Sequence, residues 1–320
     1  MNDLITVIIP TYNRATVLID AIKSVLNQTY QNWELIIVDD CSTDNTRSVA
    51  EKYCSALGDR CKYFCTSKNS GNCGATTRNI GIKNASGEYI LILDDDDLLE
   101  DTALEDTLAF LHRNNLSFVS VDRSFFPSVN SPFWKDYNVL SQGNFKKISV
   151  TDYVWEKYDT CPVYVRHSGS LSRKDVYSKV GIFDETLIAW VDVEMLYRII
   201  MFFNIGLLHK KLYSIRVDGN NYSTGKKYDR PIRIEVHHRI KNFIINNRLN
   251  YLKQININLA NAYFDTGYEC RKYAKIMALK FYLKSLQYHI GLKPLIAIIK
   301  LGVPQQNSET EAKVKNGRSV

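Results

Sequence analysis

Leu91-Ile92-Leu93-Asp94-Asp95-Asp96-Asp97 carries an apolar run of strand type straight into four consecutive carboxylates. Like charges at successive positions repel and raise one another's pKa, so a folded chain keeps them together by solvating them or by giving them a cation. Oxygen donors with no His or Cys beside them suit Mg2+ or Mn2+ rather than zinc. The competing reading is a solvated strand-to-helix turn whose last carboxylate, Asp97, caps a helix starting near Glu100. What surrounds the run decides between the two.

A short apolar run followed by polar residues and a helix recurs three times before it. Thr6 to Pro10 leads through Thr11-Tyr12-Asn13-Arg14 to a helical pattern over Ala15 to Leu26. Glu34 to Val38 ends in Asp39-Asp40, and Ser42-Thr43-Asp44 supplies cap residues for a helix through Tyr53. Lys62 to Cys65 precedes a loop at Asn69 to Gly74 and a helix that carries Arg78 and ends near Ser86-Gly87. After the acidic run come a helix over Asp101 to His112 and a strand over Ser117 to Val121. Continuous apolar strands alternating with helices predict right-handed β-α-β units, hence an α/β fold with a mostly parallel, Rossmann-like sheet flanked by helices. Such sheets bind ligands beyond the carboxyl ends of their strands, which places Thr11, Tyr12, Asp39, Asp40 and the acidic run around one crevice.

The second half is different in character. Phe125 to Tyr158 loses periodicity and is rich in aromatics, which reads either as a wall for an acceptor or as a structural insertion. Gly181-Ile182-Phe183-Asp184-Glu185 precedes a helix over Asp192 to Phe203 and a strand-like stretch from Ile205 to Val217. Beyond Tyr228 the pattern is helical, with breaks expected near Arg248 to Asn250, at Phe264 to Gly267 and at Gly291 to Pro294, and with a polar tail after Pro304 expected to be disordered. The formal charge of +7 is uneven: His209 to Lys300 holds 18 Lys or Arg against 5 Asp or Glu. No nucleic-acid-binding module accompanies that charge. Seven cysteines, without the paired short spacing of a zinc or redox motif, read as reduced thiols. Met1 leads almost at once into a strand, and the longest late apolar piece, Leu295 to Ile299, is far below the ~20 residues of a spanning helix. The expectation is a cytoplasmic protein, peripheral at most on the inner face of the plasma membrane.

Five segments in order carry a resemblance: Val7 to Arg14; Leu35 to Asp44; Arg78-Asn79-Ile80-Gly81-Ile82 with Gly87-Glu88-Tyr89; Leu93 to Asp97; and Gly181 to Glu185 leading to Asp192. Together they are similar to family 2 glycosyltransferases of the GT-A fold, over roughly residues 5 to 217. The resemblance implies a GT-A catalytic domain over 1–220, with a nucleotide-sugar-binding half at about 1–122 and an acceptor-binding half at about 123–220. A basic helical C-terminal appendage at 221–303 and the tail at 304–320 complete the expected organisation.

The resemblance also distributes roles. Asp96 and Asp94 are implied as ligands of Mn2+ or Mg2+, and Pro10, Thr11, Tyr12, Arg14, Asp39, Asp40, Arg78, Asp94 and Asp95 as nucleotide-sugar contacts. Residues two apart on a strand share a side, so Asp94 and Asp96 can address one ligand while Asp95 faces elsewhere. Asp40 is the better match to the position that reads the nucleobase, against the alternative that Asp39 and Asp40 cap the next helix. Arg78 reads as a clamp on the donor phosphates, against a surface arginine. Around Trp190 to Arg198, Glu194 and Arg198 are four apart and read as a surface pair, whereas Asp192 occupies the family's position for the general base. Two departures stand out: Val191 where relatives commonly have Glu, and Asp218 where many have a His, so no third metal ligand carries over.

The implied activity is inverting transfer of a hexose from a UDP-sugar, UDP-glucose or UDP-galactose being favoured, to a hydroxyl of a glycan acceptor. A lipid-diphosphate-linked acceptor, a β-glycosidic product and O-antigen or capsule-type polysaccharide synthesis follow from the same resemblance. The basic C-terminal helices read either as contacts to an anionic membrane or as a solvated face. The alternative function is a nucleotide-sugar-binding scaffold without transfer activity.

Overall fold

The apolar runs become the central strands of one sheet. The computed structural model describes residues 3–126, 145–148, 165–217, 230–271 and 274–302, and the chain divides into two compact units, Met1–Ile232 and Arg233–Val320. In the first unit β1 (Ile5–Thr11), β2 (Trp33–Asp39), β3 (Cys61–Cys65) and β4 (Tyr89–Ile92) alternate with α1 (Ala15–Leu26), α2 (Thr46–Leu57) and α3 (Ala75–Asn84). There follow β5 (Leu98–Leu99), α4 (Ala103–Arg113), β6 (Phe118–Phe126), β7 (Phe145–Ile148), β8 (Leu171–Arg173), α5 (Asp175–Val180), α6 (Val191–Phe202) and β9 (Ile205–Arg216).

The sheet order is β3-β2-β1-β4-β8-β6-β9-β5, with β7 paired to β9. β1 pairs in parallel with both β2 and β4, and β2 with β3. Every residue of β1, β2 and β4 is buried, as a sheet covered on both faces requires. Ile5, Val7, Ile9, Leu35, Ile37 and Leu91 share a core with Leu18, Ile22 and Val25 of α1 and Leu104, Leu108 and Leu111 of α4. Ile8 points the other way, against Gly81 of α3. Strand order reverses between β1 and β4, which puts the ligand crevice of such sheets beyond their carboxyl ends.

β8 is the strand that the periodicity does not reveal. It runs antiparallel between β4 and β6, with Leu171 opposite both Leu91 and Val119, and so carries Ser168-Gly169 back over the end of β4. Gly169 donates its N–H to Ile92 O at 2.8 Å. Its φ is +73°, and a Cβ there would lie 2.1 Å from the Tyr213 ring, so both conformation and space demand glycine.

Four expectations are corrected in detail. The strand expected over Ser117 to Val121 extends to Phe126, because β9 pairs with it along its length. Cys54 and Cys61, read as reduced thiols, have Cα atoms 4.7 Å apart and are joined as a disulfide between α2 and β3. The break expected at Phe264 to Gly267 does not occur: the C-terminal helices are α7 (Arg230–Asn246), α8 (Leu252–Cys270), α9 (Lys275–Tyr288) and α10 (Leu292–Gly302). Gly267 lies inside α8, where a Cβ would meet the Tyr282 ring at 2.8 Å, so it serves close packing of α9 rather than a turn. Ser285 of α9 donates to Ala260 O at 2.7 Å, which makes α8 and α9 an antiparallel hairpin. The glutamate-arginine pair of α6 is the fourth correction. Glu194 and Arg198 meet at 2.7 Å with side chains only 5% and 7% exposed, and Arg198 also donates to Val180 O and Ile182 O. The i,i+4 spacing correctly pairs them, but the pair is a buried tie between α6 and the turn after α5. The aromatic-rich stretch, apart from Phe125 and Phe126 at the end of β6 and the four residues of β7, falls outside the described residues, as do Asp218 and the tail after Pro304.

Candidate active site at the β1–β4 crevice

At the end of β1, Pro10 is the register partner of Val38 and Thr11 that of Asp39. Thr11 is buried and Tyr12 exposed. Asn13, at φ 52°, accepts the Thr43 N–H at 2.7 Å and donates its own N–H to Ser42 Oγ at 2.8 Å. The loops after β1 and β2 are thereby fastened together. Asp44 completes the join, accepting from Thr46 N at the start of α2 and from Ala15 N at the start of α1.

Asp39 and Asp40 do not cap α2: its N-cap position is Asn45, and the carboxylate that accepts from its first N–H is that of Asp44. Asp39 accepts from Ser42 N, Ser42 Oγ and the Tyr63 hydroxyl. Asp40 accepts from Ser70 N and Oγ, from Thr66 Oγ1 and from Asn69 Nδ2. Both carboxylates are buried, and Asp40 fixes the loop between β3 and α3 beside the carboxyl end of β2.

The acidic run divides by partner. Asp94 receives Arg78 Nη2 on one oxygen at 2.9 Å and Ser168 Oγ on the other at 2.7 Å. Asp96 Oδ2 lies 3.7 Å from Arg14 Nη1, and its carbonyl accepts from Arg216 Nε at 3.0 Å. Asp97, expected to cap the following helix, instead accepts from Tyr213 Oη at 2.7 Å and Arg216 N at 2.9 Å. The reason is topological: β5 separates it from α4, which begins only at Ala103, and pairs with β9, so Asp97 meets Tyr213 and Arg216 of β9.

The crowding has an electrostatic signature. Burial pushes Asp95 up to about 7, with the charges of Asp96 and Asp94 adding and Thr11 and Arg14 opposing. Burial likewise pushes Asp97 up to about 8, helped by Asp94 and Asp96. Arg14, Arg78 and Arg216 offset part of the charge of the acidic turn, and the donors it offers are hard oxygens, the type that suits a divalent cation. Among the described residues no three His, Cys, Asp or Glu side chains cluster tightly enough to cage a metal. One or two carboxylates completed by phosphate oxygens and water is the ordinary arrangement for Mg2+.

Arg78 joins the two sides of the crevice. It is not a surface arginine: its side chain is 12% exposed, donates to Cys73 O as well as to Asp94, and lies over the Phe183 ring at 5.9 Å. Burial would lower its pKa, but the charges of Asp94, Cys73 and Asp192 leave it raised. Asp192 therefore lies within electrostatic reach of the cation that holds Asp94. It sits in the first turn of α6, which Trp190 enters at φ 61°. Next to Arg78, Asn79 exchanges hydrogen bonds with Phe183 N and O and donates to Glu185 Oε1. Thr76 also donates to Glu185 at 3.1 Å. The Gly181 to Glu185 segment is thus the brace that fixes α6, and with it Asp192, to α3.

Several contributors escaped sequence reasoning. Ser168 orders Asp94, and Arg123 donates to Ser168 O at 2.8 Å while facing the Tyr213 ring at 5.4 Å. Arg216 binds the acidic turn and Asp20 of α1 at 2.8 Å. Their only local signal was the small, turn-forming Ser168-Gly169-Ser170 and an isolated basic residue in a strand.

Residues 6–177 match the family described as glycosyl transferase family 2. An uncharacterized glycosyltransferase of Rickettsia conorii is 34% identical over 236 residues, covering 71% of this chain and 36% of its own length. A Bacillus subtilis protein, TuaG, whose name assigns it to teichuronic acid biosynthesis as a glycosyltransferase, is 36% identical over 132 residues, or 41% of this chain and 51% of that protein. The chain spans about a third of the length of the first curated relatives it matches. Among solved structures, Staphylococcus aureus TarS 1-349 in complex with UDP-GlcNAc superposes with a TM-score of 0.65 at 20% identity, covering 93% of this chain and 79% of that one.

Proposed function

The chain belongs to glycosyl transferase family 2, and from that premise we propose that it moves a hexose from a UDP-sugar to a hydroxyl of a glycan acceptor, with inversion. The observation that carries the proposal is Arg78, hydrogen-bonded to Asp94 on the strand-end side and sensing the charge of Asp192 on the other. One carboxylate lies beside the donor's leaving group, the other beside the acceptor. A UDP donor is supported by the likeness to TarS, whose structure holds UDP-GlcNAc, and a role in surface-polysaccharide synthesis by the similarity to TuaG. UDP-glucose and UDP-galactose are the donors we favour.

In this reading Asp192 takes the proton from the acceptor hydroxyl as the new C–O bond forms at the anomeric carbon. The bond to the diphosphate breaks on the opposite face, so an α-linked donor yields a β-glycoside. Arg78 and Arg14 face the charge that accumulates on the diphosphate. A bound Mn2+ or Mg2+, held by Asp96 with Asp94, would supply Lewis-acid stabilisation of that leaving group. In this reading Tyr12, exposed at the end of β1, stacks on the uracil with Thr11 and Pro10 beside it, and Asp40, whose oxygens accept from Ser70, Thr66 and Asn69, orders the loop at the base edge.

The test is a panel of UDP-glucose, UDP-galactose and UDP-GlcNAc with Mn2+ and synthetic diphosphate-lipid acceptors. Product with inverted configuration, lost on chelation and restored by Mn2+, is the expected result. Donor binding without product in every combination would refute transfer.

A further inference from the structure

α9 and α10 turn apolar residues outward. In α10, Leu292, Leu295, Ile296 and Ile299 stand at i, i+3, i+4 and i+7, which aligns them in one stripe. They are exposed at 76%, 41%, 48% and 69%. In α9, Ile276, Leu279 and Leu283 form a second stripe, while Ala278, Tyr282 and Ser285 on another face are buried. In the first unit, by contrast, the large exposed hydrophobics among the described residues are Tyr12 and Ile188.

Lysines border both stripes. By helical geometry Lys275 lies to one side of the α9 stripe and Lys280 and Lys284 to the other, and Lys293 and Lys300 run along one edge of the α10 stripe. All five are exposed. From Arg271 to Gly302 the chain contains no Asp or Glu.

We infer that α9 and α10 form a docking surface for an anionic lipid bilayer, the apolar stripes entering the headgroup boundary and the lysines meeting the lipid charge. The pattern is that of an interfacial helix, a narrow apolar face edged by cations whose stems extend toward the polar layer. Length excludes spanning: the 11 residues of α10 reach about 16 Å, roughly half of a hydrocarbon core of about 30 Å. Among the described residues no helix is long and apolar enough to cross a membrane. A second copy is the poorer occupant, because a self-complementary contact of this face would set lysine against lysine with no acidic residue to offset them. The surface is independent of the donor site and of the transfer reading.

The experiment is co-sedimentation of the full chain with vesicles of phosphatidylcholine alone or with added phosphatidylglycerol. Binding should be at least about tenfold stronger on the anionic vesicles and should weaken with salt. The Ile296→Asp/Ile299→Asp and Lys293→Glu/Lys300→Glu pairs should each reduce it about tenfold or more. These side chains are exposed, and UDP binding by the same samples reports an intact first unit. Absence of binding to anionic vesicles, or binding unchanged by both pairs, would overturn the inference. So would a concentration-dependent dimer that Ile296→Asp/Ile299→Asp makes monomeric, since the stripes would then belong to a second copy. Failure of UDP binding alone would count against the donor reading and leave the vesicle result standing.

Discussion

Arg78 and Asp192 concentrate the consequences at the scale of single residues. Asp192→Asn keeps the size of the side chain and removes its basicity. Turnover should fall by about 10²- to 10⁴-fold with donor affinity retained, as measured by initial rates beside UDP-sugar titration; full activity in this variant would remove Asp192 from the mechanism. Arg78→Ala strips Asp94 of the cation on one of its oxygens and leaves the acidic run less compensated. Donor binding should weaken about tenfold to a hundredfold. Arg78→Lys should restore it only in part, because an ammonium cannot reach Cys73 O and Asp94 with the fork that the guanidinium uses. Equal donor affinity in all three proteins would show that the arginine is structural. Both residues are legible in sequence as types, an Arg inside a helix and an Asp at a helix start. Their electrostatic coupling is not legible, because the two stand 114 positions apart in the chain.

The braces between elements determine whether those residues meet. α6 is held by the Glu194–Arg198 pair and by the bonds of Arg198 to Val180 O and Ile182 O. Removing one member of a buried pair strands the other, and Glu194→Ala should destabilise the fold by about 3 to 5 kcal/mol. Urea denaturation checks this; a loss below ~1 kcal/mol would mean that the backbone carbonyls alone satisfy Arg198. Asn79→Ala should cost about 1 to 3 kcal/mol and also slow turnover, because Asn79 carries the Phe183 and Glu185 contacts that seat α6. Loss of stability with unaltered turnover would separate the brace from the chemistry. Strands β1 to β4, β6 and β9 and helices α1 to α4 and α6 were readable from apolar runs and cap residues, with boundaries off by a few positions, whereas β5, β7, β8 and α5 were not. The misreadings have one cause. Gly267 looked like a break and Asp97 like a cap because local chemistry permits both, and in each case a partner remote in sequence, Tyr282 or Tyr213, took precedence.

At the scale of the whole molecule, stability should vary with pH through a histidine that the site encloses. His167 shares a hydrogen bond with the Tyr177 hydroxyl at 3.1 Å and contacts the Phe118 and Phe183 rings edge-on. Burial, reinforced by the charges of Arg78 and Arg198, lowers its pKa from 6.5 to about 3. The unfolded chain therefore takes up a proton that the folded one refuses. The stabilisation is complete above 6.5 and declines by about 1.4 kcal/mol per unit as pH falls toward 3. Comparing urea midpoints of the native protein and His167→Asn between about pH 7 and about pH 5 isolates this contribution from that of the raised carboxylates. A difference that does not change with pH would refute it.

The sequence by itself determined the alternation of strand and helix, the carboxylates at strand ends and the family, because those are properties of neighbours along the chain: period, cap chemistry and motif spacing. Only the tertiary structure decided which carboxylate serves which partner. An antiparallel β8 between β4 and β6 carries Ser168 onto Asp94, β9 carries Tyr213 and Arg216 onto Asp97, and the Phe183 to Glu185 brace seats Asp192 near Arg78. Hydrogen bonds and charges act over a few ångströms regardless of separation in sequence, so the division of labour within Asp94-Asp95-Asp96-Asp97 is set by strands more than seventy residues away.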